Sequence, residues 1–356
     1  MSYPNTSPFS KASAPPGPSA PSASMPSGPS VPSASAPPGK TGRQAGQRKP
    51  SIYGGTDSKA AVETVAQTIF TICAFAAILA VVSISLYMVI NGSPALFQVG
   101  LREILFGHVW KPTAADPSFG ILYVILTSIA GTFFAILIGV PIGLFTAIFL
   151  AFLAPAKAAA VIRPAVDLLA GIPSVIYGLL GILLLTPFMY QLELKIFADS
   201  TTHQFTGGAN LISAILVLAI MILPTVINIS ESALRSVPKK LFNASLALGA
   251  TPIQTIFKVT LPAAKSGIAT AIVLGTGRAI GEAMAISLVS GSSVNLPLPF
   301  NSVRFLTTAI VAEMSYSQGL HRQVLFTIGL VLFFFIMFIN VALTKILKRG
   351  GASNGK

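Results

Sequence analysis

Two oppositely charged residues, Arg278 and Glu282, stand inside an otherwise apolar stretch that runs from Ser266 to Ser290. At this i, i+4 spacing on a helix, the two side chains share one face and lie within ion-pair distance. A guanidinium offers a planar fork of donors that suits an oxyanion. Arg278 is therefore a candidate ligand for an anion that crosses a membrane, while Glu282 would hold the guanidinium and limit how tightly that anion binds.

The same pair also has a purely structural interpretation, an ion pair that fixes a helix bundle. Arg278 lies about 12 residues into the stretch, which is roughly 18 Å along a helix that rises about 1.5 Å per residue. That depth is near the middle of a ~30 Å hydrocarbon core, where charged groups almost always face protein or a water-filled path. Both interpretations require the stretch to span a membrane, together with other spans elsewhere in the chain.

Five other stretches contain no Asp, Glu, Lys or Arg. Each reaches the roughly 20 residues that a helix needs to cross the hydrocarbon core. With the charged stretch they predict an all-α membrane protein with six transmembrane helices. The predicted spans lie near residues 62–91, 119–153, 162–190, 208–232, 265–290 and 322–346.

Composition agrees with a lipid bilayer as the main surroundings of the chain. Of the 356 residues, 53% are hydrophobic and only 9% are charged, whereas soluble proteins carry about 25% charged residues. The net charge of +13 does not indicate nucleic-acid binding, because the basic residues lie between apolar spans rather than on one soluble face. Cys73 is the only cysteine and lies in the first span, so neither a disulfide framework nor a cysteine-based metal site is expected.

The distribution of basic residues predicts the orientation. Most of the 23 Lys and Arg residues fall in the N-terminal tail, the second and fourth loops and the C-terminal tail. By the positive-inside rule, these segments and both termini face the cytoplasm. Residues 1–60 are rich in Pro and Ser and predict a disordered cytoplasmic tail. A six-helix membrane domain is expected at 61–349, followed by a short cytoplasmic tail at 350–356.

The fourth loop, 236–262, predicts two short helices on the cytoplasmic surface. Ser236 is a candidate N-cap for the first helix, with Pro238 in its first turn. Gly249 is placed to end that helix in a left-handed conformation. Thr251 is a second candidate cap, and the chain then returns to the membrane.

This loop carries the segment NASLALGATPIQTIFKVTLP, which resembles the EAA loop of ABC-type import permeases. The matching positions are Asn243, Ala244 and Ser245 for Glu-Ala-Ala, Gly249 for the glycine, and Leu261 and Pro262 for Leu-Pro. Asn243 and Ser245 depart from the family's Glu and Ala. The resemblance implies a coupling helix that docks into an ATPase subunit. Since the complete GxxxxGK[ST] phosphate-loop pattern does not occur in the chain, ATP and Mg²⁺ are expected on that separate ATPase, and this chain is not expected to be an enzyme.

Further segments, among them GTGRAIGEAMAISLVSG and LAGIPSVIYGLLG, resemble the PstC family of permease subunits of bacterial phosphate ABC importers. The resemblance implies a type I ABC importer permease (MetI-like) fold in the bacterial inner membrane. It also implies a PstA-like permease partner, a PstB-like ATPase dimer and a PstS-like phosphate-binding protein. In such a transporter Arg278 and Glu282 would line the substrate pathway, and this chain would bind no cofactor.

Three other functions remain open at this point, one of which is that of a purely regulatory membrane subunit. In a proton-coupled secondary transporter, Glu282 would carry the proton. An ABC permease for another oxyanion, such as sulfate or molybdate, would use Arg278 in the same way as a phosphate permease.

Overall fold

A computed structural model describes residues 57–352 of the chain, with side chains described from 62 to 345. The residues group into two units, Met1–Ala66 and Gln67–Lys356, and the helical bundle belongs to the second. The predicted tails lie outside the described residues except for 57–60, which belong to the first helix, and 350–352, which belong to the last.

The described part of the chain is mostly helical, with one short β-hairpin and longer loops between Ile196 and Leu211 and between Val289 and Leu306. In chain order the helices are α1 (Asp57–Ala95), α2 (Leu101–Phe106), α3 (Leu122–Ile148), α4 (Ala156–Gly171), α5 (Ser174–Leu180), α6 (Thr186–Ile196), α7 (Leu211–Arg235), α8 (Lys239–Ala247), α9 (Pro252–Thr255), α10 (Leu261–Ala263), α11 (Lys265–Gly281), α12 (Met284–Val289), α13 (Leu306–Glu313) and α14 (Gly319–Ala352). Turns of π-helix follow α1, α3, α5 and α9, at Leu96–Gly100, Phe149–Leu153, Gly181–Leu185 and Ile256–Thr260. The strands β1 (Trp110–Lys111) and β2 (Ser118–Phe119) pair antiparallel, with Trp110 opposite Phe119.

Six spans are confirmed when one bent helix pair is counted as a span. Five helical stretches are long and apolar enough to cross a membrane: Val62–Phe106, Leu122–Leu153, Ser174–Ile196, Leu211–Arg235 and Gly319–Lys345. The sixth is the pair Pro252–Ala263 and Lys265–Gly281, whose axes differ by 71°. The bend at Ala264 lies between the fourth loop and the charged stretch.

The predicted third span, 162–190, is wrong in its boundaries. The chain is extended at Ile172, with φ −71° and ψ 127°, and Pro173 separates α4 from α5. A residue before proline is biased away from the helical region, and proline itself cannot donate a backbone hydrogen bond. The span therefore starts after the break, at Ser174, and runs to Ile196.

The predicted fifth span, 265–290, is also broken. The first helix of that stretch, α11, ends at Gly281, and Glu282 takes an extended conformation with φ −72° and ψ 133°. A new helix, α12, starts at Met284. A continuous helix through Arg278 and Glu282 is therefore the wrong description of this segment.

The bundle core surrounds α7, which packs against both α3 and α11. Small residues allow this approach, because Gly139 of α3 faces Ile222 and Gly275 of α11 faces Val226. Asn210 starts α7 by accepting a hydrogen bond from the Ser213 amide over 3.1 Å. The packing role expected for small residues in membrane helices is thus seen along the buried helix.

The two broken helices meet each other through glycines of the first. A Cβ atom added to Gly178 of α5 would lie 2.8 Å from the Cα and 2.9 Å from the carbonyl oxygen of Ala285 of α12. Gly181 faces Val289 in the same way. The break at Pro173 and the break at Glu282 are therefore brought into one region of the bundle.

Replacing Gly178 by Ala is expected to lower the midpoint of thermal unfolding of the purified permease, because the added methyl group meets backbone atoms that cannot turn aside. Overpacking of this kind costs about 1–3 kcal/mol. The matched control is Gly171→Ala, where nothing lies within 4 Å of the added Cβ. Equal midpoints for the two variants would contradict the close packing of α5 on α12.

Candidate functional site

The structure places Arg278 and Glu282 on either side of a helix end. Arg278 lies in the last turn of α11, and Glu282 is the first residue beyond that helix. Among the residues whose side chains are described, no ion pair joins them. The predicted Arg278–Glu282 ion pair is wrong because the helix that would have aligned the two side chains ends between them.

Glu282 accepts two hydrogen bonds at the helix break. Its Oε1 atom accepts a hydrogen bond from the Ala285 amide over 3.0 Å. A carboxylate is favourable there, since the first amides of α12 have no partner within the helix. The backbone carbonyl of Glu282 accepts a second bond, from the Thr307 hydroxyl over 2.6 Å. These contacts determine where the carboxylate lies.

Arg278 is half-buried, and its guanidinium has no hydrogen-bond or ion-pair partner among the described residues. Its position in the last turn of α11 is favourable, because the helix dipole stabilises a cation there. That term is worth about 0.3–1 kcal/mol at exposed sites, which is less than the cost of several kcal/mol for desolvating a charge. The part of the chain that the structure describes therefore supplies no anionic partner for Arg278.

Tyr177 connects the helix break at Pro173 with the surroundings of Arg278. It is buried on α5, close enough to Arg278 for an electrostatic interaction. Its hydroxyl donates to the carbonyl of Leu169, in the last turn of α4, over 2.6 Å. The candidate anion site is thus the junction of the two helix breaks, with Arg278 as its cation and Glu282 as its carboxylate.

The fourth loop is built largely as predicted. Gly249 has φ +86° and ends the first loop helix, α8, in the left-handed conformation. Thr251 and Gln254 form a reciprocal capping box at the start of α9, with bonds of 3.3 and 3.1 Å. The expected N-cap is wrong: Ser236 ends α7 and donates to the Ala233 carbonyl over 2.7 Å, while Pro238 directly precedes α8.

The residues at the EAA positions lie on an open surface. No residue of α8 is buried, and Asn243 and Ala244 are exposed. Ser245 joins α8 to α9 through a 2.9 Å hydrogen bond between its hydroxyl and that of Thr255. The hydroxyl therefore explains the departure from alanine at Ser245. Leu248 is 90% exposed, which leaves an apolar side chain on this face without a partner in the described residues.

The end of the EAA-like segment leads back into the bundle. Leu261 and Pro262 start the short helix α10, with Leu261 half-buried in an apolar cluster around Ile256 and Leu234. Phe242 of α8 stacks on Phe152 at the end of α3, with ring centroids 5.9 Å apart. The loop helices are therefore anchored on α3, α7 and α11, so their displacement would be transmitted to the core.

Three acidic residues outside the candidate site were not identified from the sequence. Each has several hydrogen-bond or ion-pair partners. Glu193 accepts from His203 and from the Thr206 amide and hydroxyl. Glu231 is bound by Arg163 over 2.9 Å and by Arg235 over 2.8 Å. The i, i+4 spacing of Glu231 and Arg235 is the one signal in the sequence that indicates such a pair.

The third, Glu313, ends α13 and joins segments that are distant in the sequence. Its carboxylate is contacted by Arg304, by Nε2 of His321 over 2.7 Å, and by Nε1 of Trp110 over 3.1 and 3.2 Å. Spacing cannot predict the contact with Trp110, which lies 203 residues from Glu313 along the chain. This cluster ties the β-hairpin, the segment before α13 and the start of α14 together.

Comparison with known proteins identifies the family. A model of the family described as "Binding-protein-dependent transport system inner membrane component" matches residues 139–350. A crystal structure of a bacterial ABC transporter that imports alginate covers 82% of this chain and 97% of its own, at 16% identity and a TM-score of 0.53. This likeness shows a shared fold, that of the type I ABC importer permeases.

Curated relatives cover most of the membrane domain. The probable ABC transporter permease protein YqgH of Bacillus subtilis is 40% identical over 287 residues, 78% of this chain and 90% of its own. The phosphate transport system permease protein PstC of Xylella fastidiosa (strain 9a5c) is 31% identical over 297 residues, 80% of this chain and 91% of its own. PstC of Pasteurella multocida is 34% identical over 241 residues, 65% of this chain and 75% of its own.

These matches do not favour a secondary transporter. They also agree with the exposed loop helices and with the spans of the bundle. The chain belongs to the binding-protein-dependent transport system inner membrane components: it is a multi-pass ABC permease subunit that works with other ABC components, such as a permease partner and an ATPase, and has no catalytic activity of its own.

Proposed function

We propose that this chain is the permease subunit of an ATP-driven phosphate importer and forms the translocation path together with a homologous permease. The observation that carries the proposal is the half-buried, unpaired guanidinium of Arg278 at the junction of two broken helices. A transported anion would stabilise this cation while it is bound and would leave it unpaired after release. Discontinuous helices near the middle of a bundle are a recurrent way of forming such sites in transporters.

The carboxylate of Glu282 supports phosphate over sulfate. Its Oε1 atom is bound to the Ala285 amide, whereas Oε2 has no hydrogen bond among the described residues. An ionised carboxylate only accepts hydrogen bonds. Phosphate near neutral pH retains a proton that it can donate to Oε2 while its other oxygens accept from Arg278. Sulfate has no such proton and would be repelled by Glu282. Several relatives bear the name phosphate transport system permease protein, which agrees with this selectivity.

The end of the bundle that carries the fourth loop, 236–262, is inferred to face the cytoplasm, as are both termini. The concentration of Lys and Arg in the tails and in this loop supports the orientation. On that side a PstB-like ATPase dimer would contact Asn243 and Ala244, which are exposed on α8. A PstA-like permease would complete the path. A PstS-like binding protein would deliver phosphate on the opposite side of the bacterial inner membrane.

Membrane vesicles that contain the complete transporter, with ATP on the cytoplasmic side, are expected to accumulate labelled phosphate even after a protonophore collapses the proton gradient. An excess of unlabelled sulfate is expected not to compete. Vesicles with ADP in place of ATP are the control. Loss of uptake on adding the protonophore, with ATP still present, would indicate the secondary transporter instead. Equal competition by sulfate would indicate a general oxyanion permease.

A cysteine introduced by Ala244→Cys, in a Cys73→Ala background, is labelled with a maleimide photocross-linker and is expected on illumination to form an adduct with the ATPase subunit in the assembled complex. Ala244 is exposed on the loop helix that has no buried residue. The adduct is detected as a mass shift of both subunits on a denaturing gel. Thr202→Cys provides the matched control, because Thr202 is exposed on a loop outside the coupling segment. An assembled complex that gives no adduct at position 244 would count against the docking surface.

A further inference from the structure

The short helix α13 lies between the broken fifth span and the last helix, and it is fixed at both ends. At its start, the Leu306 amide donates to the hydroxyl of Ser128 on α3 over 2.9 Å. The ring of Phe305 lies against Gly131, where a Cβ atom would come within 2.4 Å of it. At its end, Glu313 is held by Arg304, His321 and Trp110. A helix anchored in this way is a rigid support for whatever it contacts.

Through Thr307, α13 contacts the helix break at Glu282. Thr307 is 8% exposed, and its hydroxyl donates to the carbonyl of Glu282 over 2.6 Å. Carbonyl groups at the end of a helix have no partner in the helix, so a break in apolar surroundings needs such a donor. The neighbouring Thr308 is also buried, at 1% exposure, but it bonds only to the backbone of Phe305, at the start of its own helix.

We infer that Thr307 is a positioning residue for the anion path: by binding the Glu282 carbonyl, it fixes the break so that the Glu282 carboxylate faces the passing anion beside Arg278. The inference rests on the proposed function and adds a residue that lies outside the broken helix. The carboxylate and that carbonyl belong to the same residue, Glu282. The Oε1 atom of the carboxylate accepts a hydrogen bond from the Ala285 amide, just beyond the break. Loss of the Thr307 bond would therefore allow the carbonyl and the carboxylate of Glu282 to shift.

The test compares ATP-driven phosphate uptake, divided by the amount of assembled complex, in four variants of the whole transporter and in Glu282→Gln alone as their reference. Thr307→Val keeps the shape of the side chain and removes the donor, and uptake is expected to fall by about three- to tenfold, the usual effect of one hydrogen bond. Thr307→Ser keeps the donor and is expected to retain uptake. Thr308→Val removes a buried hydroxyl one residue away and is expected to lower stability while leaving uptake per complex unchanged.

The fourth variant, Thr307→Val combined with Glu282→Gln, separates positioning from a general structural effect. If Thr307 acts through the Glu282 carboxylate, the double variant has the same uptake as Glu282→Gln alone, because interacting sites are not additive. A further loss by the same factor in the double variant, or equal effects of Thr307→Val and Thr308→Val, would overturn the inference.

The wild-type complex is measured first, because an absence of phosphate uptake there contradicts the proposed function and not the role of Thr307. In that case the same variants are compared by the ATPase activity that the binding protein stimulates. The same non-additivity with Glu282→Gln then decides the inference.

Discussion

A polypeptide inside a bilayer must satisfy its backbone hydrogen-bonding groups within the protein, because no water is available to do so. This requirement acts most strongly where a spanning helix is interrupted, as at Pro173 and at Glu282. At the first break, Tyr177 donates to the Leu169 carbonyl. At the second, Glu282 accepts from the Ala285 amide and receives a bond from Thr307. The packing of α5 on α12 and the anchoring of α13 follow from keeping these groups paired.

The pairing of charges makes Arg278 exceptional among the described residues. Glu193, Glu231 and Glu313 all lie against cations or several donors, which offset the cost of removing a carboxylate from water. Arg278 has a favourable helix end beside it and no anion. A permanent counter-ion would fill the site, whereas a transported anion can supply the missing charge for part of the cycle. The unpaired cation supports the proposal that Arg278 serves transport and not a structural ion pair.

The sequence predicts the number of spans well, because each hydrocarbon crossing demands a long stretch without charge. It also predicts the coupling loop, since the capping residue Thr251 and the left-handed Gly249 act locally. The two helix breaks are harder to predict from the sequence. Pro173 is a visible local signal, but no proline directly precedes Glu282, and the Thr307 hydroxyl that binds its carbonyl comes from 25 residues further along the chain. Contacts such as that between Trp110 and Glu313 arise only when the whole bundle is formed, so residue spacing could not predict them.

The central claim is that the unpaired guanidinium at the junction of the breaks binds the transported anion. Its most direct test is the rate of ATP-driven phosphate uptake by the complex that carries Arg278→Gln, normalised to assembled transporter. Because a hydrogen bond to a charged group contributes about 1.5–3 kcal/mol, the rate is expected to fall by at least about tenfold. Arg322→Gln, which removes an exposed arginine at the start of α14, is the matched control and is expected to transport at the wild-type rate. A wild-type rate for Arg278→Gln would contradict the account.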